Sequence, residues 1–166
     1  MSEKKKLVVV GMSGGVDSSV AAALLLEHGY EVVGITMKTY EYAAVGGNVE
    51  NDTSCCGLNA IQDARLVAAK LGIAHYVVDF SDEFEKTIIS NFIDEYLKGR
   101  TPNPCVLCNR SIKWGALLKK ADSLGAQYIA TGHYACIRFY PDNKRYTIAV
   151  GVDADKDQSY ALWAVT

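Results

Sequence analysis

The junction that most constrains this chain is a short apolar run that ends in a glycine-rich turn. Leu7-Val8-Val9-Val10 passes into Gly11-Met12 and then Ser13-Gly14-Gly15-Val16-Asp17-Ser18-Ser19, with an Ala/Leu-rich stretch behind it. The order reads as strand, loop, helix. Amides of such a loop, with the unpaired N–H groups of the helix's first turn, form a cradle for anions. Gly14 and Gly15 permit a tight turn and bring backbone close to a phosphate. Ser18 and Ser19 are expected to cap the helix and offer hydroxyls. The stretch lacks the lysine of the GxxxxGK(S/T) loop, and its glycine spacing is not GxGxxG.

The alternation continues downstream. Strands are expected at Glu31–Met37, His75–Asp79 and Tyr128–Thr131, and helices at Ser18–His28, Leu58–Leu71, Ser81 to about Leu97, and Asn109–Leu124. Gly29, Gly72 and Gly125 supply helix stops. Residues 38–57 have no period and read as a mobile loop. This pattern implies an α/β fold, an open and mostly parallel sheet with helices on both faces. Ligands in such sheets sit at the carboxyl ends of the strands, where the glycine loop and Thr131-Gly132-His133 both fall. Residues 135–140 and 145–151, joined by Pro141-Asp142-Asn143-Lys144, read as a β-hairpin.

With 166 residues and 49% hydrophobic content the chain suits one domain, residues 1–166. Its net charge of −2 advertises no global affinity for nucleic acid. No stretch is apolar enough to span a bilayer, and the start is not a signal peptide, so a cytoplasmic protein without membrane partners is expected. Cys55, Cys56, Cys105, Cys108 and Cys136 are then reactive, metal-binding or buried rather than structurally cross-linked.

The second dense signal is Thr101-Pro102-Asn103-Pro104-Cys105-Val106-Leu107-Cys108-Asn109. The prolines stiffen this segment, read as a loop over Gly99–Cys105. Cys108 is expected at a helix start, where the positive end stabilises a thiolate. Lys98, Arg100, Arg110, Lys113, Lys119 and Lys120 surround it with no acidic residue between Tyr96 and Ala121, which marks a polyanion surface. The Cys105/Cys108 pair suits a redox couple, half a zinc site or cluster ligands, with Cys55 and Cys56 as further thiols. His28 and His75 read as surface or packing residues, and Cys136 as buried and inert. His133 lies in the expected crevice.

Together these stretches resemble a known family. Ser13–Ser19 resembles the PP-loop of ATP pyrophosphatases. Gly11-Met12, Met37-Lys38, the Gly99–Pro104 and Cys108-Asn109 stretches, Ile112-Lys113, Ala130-Thr-Gly-His-Tyr134 and Lys156-Asp157-Gln158-Ser159-Tyr160 narrow it to the bacterial tRNA-specific 2-thiouridylases. The resemblance implies that Gly11, Met12, Ser13, Gly14, Gly15, Val16, Asp17 and Ser18, with Met37 and Gly132, bind ATP and Mg2+. It implies adenylation of the wobble uridine of tRNA for lysine, glutamate or glutamine, followed by sulfur transfer to give 2-thiouridine, AMP and pyrophosphate. Cys108 matches the first catalytic cysteine. Asn103, Pro104 and Cys105 match the stretch that meets the target base, and Lys156, Asp157 and Gln158 a tRNA-contacting stretch. The implied partners are the tRNA anticodon region and a persulfide donor fed by a cysteine desulfurase relay.

The resemblance covers the whole chain but only the N-terminal portion of the family's proteins. It implies that β domains and a persulfide-bearing cysteine lie beyond residue 166, and that residues 1–166 alone do not thiolate tRNA. The family pattern has aspartate where this chain has Cys105. Cys105 and Cys108 could therefore ligate a 4Fe–4S cluster with the later cysteine, as an alternative to persulfide–disulfide chemistry. Two other readings stand beside this one: an amide-forming PP-loop ligase, and a non-catalytic nucleotide- or metal-binding module. The basic segment and the paired thiols weigh against the ligase, which needs neither.

Overall fold

Val8, Val9 and Val10 alternate between the two faces of a strand, yet all three are buried, which requires helices on both sides. The computed structural model describes residues 5–39 and 58–164, so most of the 38–57 segment, with Cys55 and Cys56, lies outside the described residues. Strand β1 (Leu7–Gly11) leads through the glycine loop to α1 (Val16–Glu27), then β2 (Glu31–Lys38). Next come α2 (Leu58–Leu71) and β3 (Ala74–Asp79). Two composite helices follow, each widened by a π segment. We label as α3 the run Ser81–Phe84, π Glu85–Ile89, Ser90–Leu97, and as α4 the run Pro104–Cys108, π Asn109–Ala116, Leu117–Ser123. Strand β4 (Tyr128–Thr131) completes the sheet.

The sheet order is β3-β2-β1-β4, all parallel. Register pairs Gly11 with Ile35 on one side and with Thr131 on the other. The chain builds outward from β1 to β3, then crosses back to place β4 on β1's free side. The crevice between the ends of β1 and β4 is thus the topological switch point, where open α/β sheets bind ligands.

Two apolar layers hold the helices. On one face Val8, Val10 and Val32 pack with Ala22 of α1 and Ala64 of α2. On the other, Val9, Ile35 and Met37 pack with Ile88 of α3 and Ile112, Leu117 and Ala121 of α4. Beyond β4, strands β5 (Cys136–Tyr140) and β6 (Arg145–Ala149) form the expected antiparallel hairpin. Strand β6 stops short of residue 151 because the Gly151 N–H donates to the Asp157 carboxylate instead of a strand partner, at 2.7 Å. Two short 3-10 turns, Ala154–Lys156 and Ser159–Leu162, bring Ala161 and Leu162 into buried positions.

Three helix starts differ from the sequence expectation. Helix α1 begins at Val16 with Gly15 at its cap, so Ser18 and Ser19 lie in the first turn and do not cap it. Ser81 does not cap α3. The Asp79 carboxylate takes the Ser81 N–H at 2.9 Å and the Ser81 hydroxyl at 2.5 Å. Those bonds, with Lys38 at 3.1 Å, hold the Asp79 pKa down at about 2. Helix α4 begins at Pro104 rather than Asn109. The Asn103 side-chain oxygen accepts from the Cys105 and Val106 amides at 3.1 and 3.4 Å, and Pro104 takes the first helical position, where its missing N–H costs nothing.

Leu117 is fully buried and a Cβ at Gly11 would lie 3.4 Å from its Cδ2, so it seats α4 directly on β1. Leu117→Ala is expected to cost about 2–5 kcal/mol, read as a lowered urea midpoint at unchanged m-value.

Candidate functional site

The floor of the crevice is the glycine loop, and its hydroxyls fold it rather than cap the helix. The Ser13 N–H donates to Ser18 Oγ at 3.2 Å, and Ser18 Oγ donates to the Gly15 carbonyl at 3.1 Å. Ser19 Oγ donates to the same carbonyl at 2.8 Å. The N–H groups of Val16, Asp17 and Ser18, in the helix's first turn, have no intrahelical acceptor, the arrangement that favours an anion at a helix start. Gly14 has φ +76°, and a Cβ there would lie 2.5 Å from the Ala60 carbonyl oxygen. Only glycine lets the loop turn and rest on α2 at that point.

Gly132 closes the crevice on the β4 side. A Cβ on it would sit 2.3 Å from the Ser18 nitrogen and 2.4 Å from the Asp17 carbonyl carbon. The Thr131–His133 turn therefore lies directly against the amides of the α1 N-terminus. Behind the loop, Thr36 Oγ1 donates to the Met12 carbonyl at 2.9 Å and stands 2.8 Å from His75 Nε2. With its proton used on Met12, Thr36 accepts from His75, which is the Nε2–H tautomer. Burial and the Arg65 charge lower the His75 pKa and favour that neutral form. The histidine expected merely to pack thus fixes the loop's first residues.

Helix α4 forms the opposite wall. Its first turn carries Cys105, which is exposed, and its second carries Cys108, which is half-buried against the core. The positive end of the helix therefore lies nearer Cys105 than Cys108, a reversal of the expectation that followed from starting the helix at Asn109.

Between floor and wall lies a cavity of about 240 Å³. Gly11, Met12, Ser13, Gly15, Asp17 and Ser18 line it from the loop, and Met37, Thr131, Gly132 and His133 from the strand ends. Cys105, Asn109 and Lys113 line it from α4, and Gln158, Tyr160 and Ala161 close it. The structure thus gathers most of the nucleotide residues named from sequence with Cys105 and Gln158. Gly14 turns to α2, and Val16 is solvent-exposed. Cys108 lies behind the wall. Asn103 borders a neighbouring groove with Arg110, Tyr160 and Trp163, and Pro104 starts α4. Lys156 and Asp157 line a second cavity that shares Asp17, Gln158 and Tyr160 with the first.

Asp157 and Gln158 also hold the segment in place. The Asp157 carboxylate accepts from Gly151 N–H, from Ser159 N–H at 3.2 Å and from Ser159 Oγ at 2.7 Å, and these bonds lower its pKa. Gln158 exchanges bonds with the Tyr134 backbone, its N–H donating at 2.8 Å and its Oε1 accepting at 3.1 Å.

Sequence reasoning gives Asn109, Tyr160 and Ala161 no place in the nucleotide site, and Lys113 enters it only through the basic run and the Ile112-Lys113 stretch of the family resemblance. The i, i+4, i+8 spacing of Cys105, Asn109 and Lys113 is the signal that could have placed them on one face. His133 is half-buried beside Thr131 Oγ1, 2.8 Å from its Nδ1. Burial first, then the Lys113 charge, bring its pKa from 6.5 to about 4, against a smaller opposing pull from Asp17.

The oxygen donors of this floor suit a magnesium ion that arrives with phosphates, since such a site needs one or two carboxylates and Asp17 supplies one. Among the described residues no three His, Cys, Asp or Glu side chains converge, and the free thiols there are those of Cys105, Cys108 and Cys136. Among the described residues no helix is long and apolar enough to cross a membrane.

Comparison with known proteins gives one family and close relatives. Residues 6–166 match the model of the tRNA methyl transferase HUP domain. The chain is 56% identical over 162 residues to the tRNA-specific 2-thiouridylase MnmA of Salinibacter ruber, covering 98% of this chain and 42% of that protein. It is 58% identical over 163 residues to the protein of the same name from Amoebophilus asiaticus, covering 98% and 43%. The chain therefore spans less than half the length of these relatives.

Two measurements probe this geometry. The His133 ring is expected to titrate near pH 4 by NMR. Because its folded pKa lies below the unfolded 6.5, its contribution to stability is complete above pH 6.5 and is lost as pH falls from there through 4. Gly132→Ala places a methyl on the Asp17–Ser18 backbone. It is expected to weaken ATP binding by about 10-fold or more in calorimetric titration, because the turn must withdraw from the α1 amides that line the cavity floor.

Proposed function

Because this chain belongs to the tRNA methyl transferase HUP domain family, we propose that it is the ATP-using portion of a tRNA 2-thiouridylase. The observation that carries the reading is the single cavity in which a PP-loop floor faces a cysteine-bearing helix. Methyl transfer, which the family's description suggests, needs neither that floor nor those thiols. The relatives that share more than half of its residues are named as thiouridylases. We place the protein in the cytoplasm, with tRNA as its macromolecular substrate.

The chemistry follows from the placement of the groups. The amides at the start of α1 hold the phosphates of ATP, and Met37 and Gly132 border the nucleotide. Magnesium, held with Asp17, supplies charge neutralisation on the phosphates. The wobble uridine enters past Asn103 and Cys105, with Lys156 to Gln158 flanking the second cavity and meeting the tRNA. Its C2 oxygen attacks the α-phosphorus, and pyrophosphate leaves with the bonding electron pair. The outer sulfur of a cysteine persulfide then adds at C2, and AMP departs with the former C2 oxygen. The Cys108 thiol attacks the inner sulfur, and the S–S bond breaks with its electron pair staying on the base sulfur. The two cysteines are left as a disulfide beside 2-thiouridine. His133, neutral at pH 7, leaves the anion site free of a competing proton. We assign the sulfur-handling thiol to Cys108 and a wall position against the base to Cys105, which replaces the family's aspartate. We place persulfide–disulfide chemistry ahead of a 4Fe–4S cluster held by Cys105, Cys108 and a later cysteine. Residues 1–166 alone are expected to bind ATP without thiolating tRNA.

The test uses the full-length protein with ATP, magnesium, unmodified tRNA and a persulfide donor. tRNA-dependent pyrophosphate release and 2-thiouridine are expected. Cys108→Ala is expected to cut thiolation by about 10³-fold or more while tRNA-dependent pyrophosphate release persists. ATP cleavage that ignores tRNA and instead tracks a small acid or ammonia would overturn the reading in favour of an amide-forming ligase.

A further inference from the structure

The loop that floors the cavity has no lysine, yet the cavity holds a cation. Lys113 lines it from α4, opposite Ser13, Gly15 and Asp17. It is half-buried, and no ion pair among the described residues involves it. Removing an ammonium group from part of its water without a partner is unfavourable unless an anion arrives. One turn earlier stands Asn109, 3% exposed, on the same cavity wall, with its Oδ1 buried and without a hydrogen-bond partner. Buried polar atoms are normally paired, and this one is an acceptor, so the wall offers a place for a ligand N–H or O–H beside the Lys113 cation.

The helix geometry explains how both side chains reach the cavity. In an α-helix each step of four residues overshoots a full turn by about 40°. The π segment Asn109–Ala116 holds more than four residues per turn, so the same step falls short. The overshoot from Cys105 to Asn109 is offset between Asn109 and Lys113, and all three face the cavity. In a regular α-helix Lys113 would stand about 80° around the axis from Cys105. The Lys113 charge also reaches His133, on the far side of the anion site.

We propose that Lys113 is a catalytic residue that binds the phosphates of ATP and neutralises the charge that builds on the departing pyrophosphate. It takes from the facing helix the part a loop lysine plays elsewhere. The assignment rests on the adenylation reading above. As the base oxygen bonds to the α-phosphorus and the bond to the bridging oxygen breaks, the electron pair leaves on pyrophosphate. Lys113, with three N–H donors, meets it there without giving up a proton. Its place in the basic segment offers a rival role, a contact to the tRNA backbone, which would act equally before and during the reaction.

The test compares full-length Lys113→Met and Lys113→Arg with the unaltered protein. Calorimetry with the non-cleavable analogue α,β-methylene-ATP and magnesium reads nucleotide affinity, and rapid quench at saturating ATP and tRNA reads pyrophosphate release. A filter-binding salt series reads tRNA affinity, and NMR reads the His133 pKa. Lys113→Met is expected to weaken the analogue about 10-fold and slow pyrophosphate release about 100-fold, with tRNA affinity and salt slope unchanged. The His133 pKa should rise, and Lys113→Arg should recover most of the affinity. Undiminished pyrophosphate release, or a lost tRNA affinity with a salt slope reduced by about one, would overturn the assignment. If the unaltered protein binds the analogue but releases no pyrophosphate with tRNA, the adenylation reading fails. Loss of analogue binding in Lys113→Met alone would still uphold the lysine as the phosphate cation.

Discussion

The site depends on one close approach, the bare Cα of Gly132 against the backbone of Asp17 and Ser18. The sheet order places β4 beside β1, but adjacency alone does not make a binding site. It is the absence of a side chain at Gly132 that lets the end of β4 close on the first amides of α1. The same contact brings His133 over the anion site, where burial and the Lys113 charge keep it neutral. Thr36 and His75 complete the arrangement from behind by holding the Met12 carbonyl.

Floor and wall divide the labour. The loop spends its serine hydroxyls on its own fold, so what it offers an anion is backbone amides and the helix dipole. Helix α4 supplies what backbone cannot: a thiol, an amide and a cation on one face. Its apolar side, through Ile112, Leu117 and Ala121, is locked into the core that β1 and β2 also share. The two walls are therefore fixed to the same sheet, which suits a site that must present a nucleotide and a base to each other within a fraction of an ångström.

Much of this was legible in the sequence because the signals were local. The apolar run before Gly11, the glycine helix stops and the hairpin turn each follow from short-range backbone chemistry, and the strands and helices fell where those signals put them. The errors were local too. Asn103 and Pro104 read as a stiff loop, although Asn followed by Pro is also the start of a helix, and that choice put the helix's positive end at Cys108 instead of Cys105. Ser18 and Ser19 have the side chains that favour capping, whereas Gly15 fills that place with no side chain at all. The i, i+4, i+8 spacing of Cys105, Asn109 and Lys113 hints at a shared face, but the π segment that aligns the third of them leaves no mark in composition. The 3-10 turns near residue 160 are held by Asp157 and Gln158 through bonds distant in sequence.

The central claim is that one cleft, with the glycine loop on one side and α4 on the other, holds the nucleotide. Hydrogen exchange of the full-length protein with and without ATP and magnesium tests it directly. The account predicts that amides of Gly14–Ser19 and of Cys105–Lys113 gain protection together, at the same ATP concentration. Protection confined to the glycine loop, with α4 exchanging as before, would contradict it.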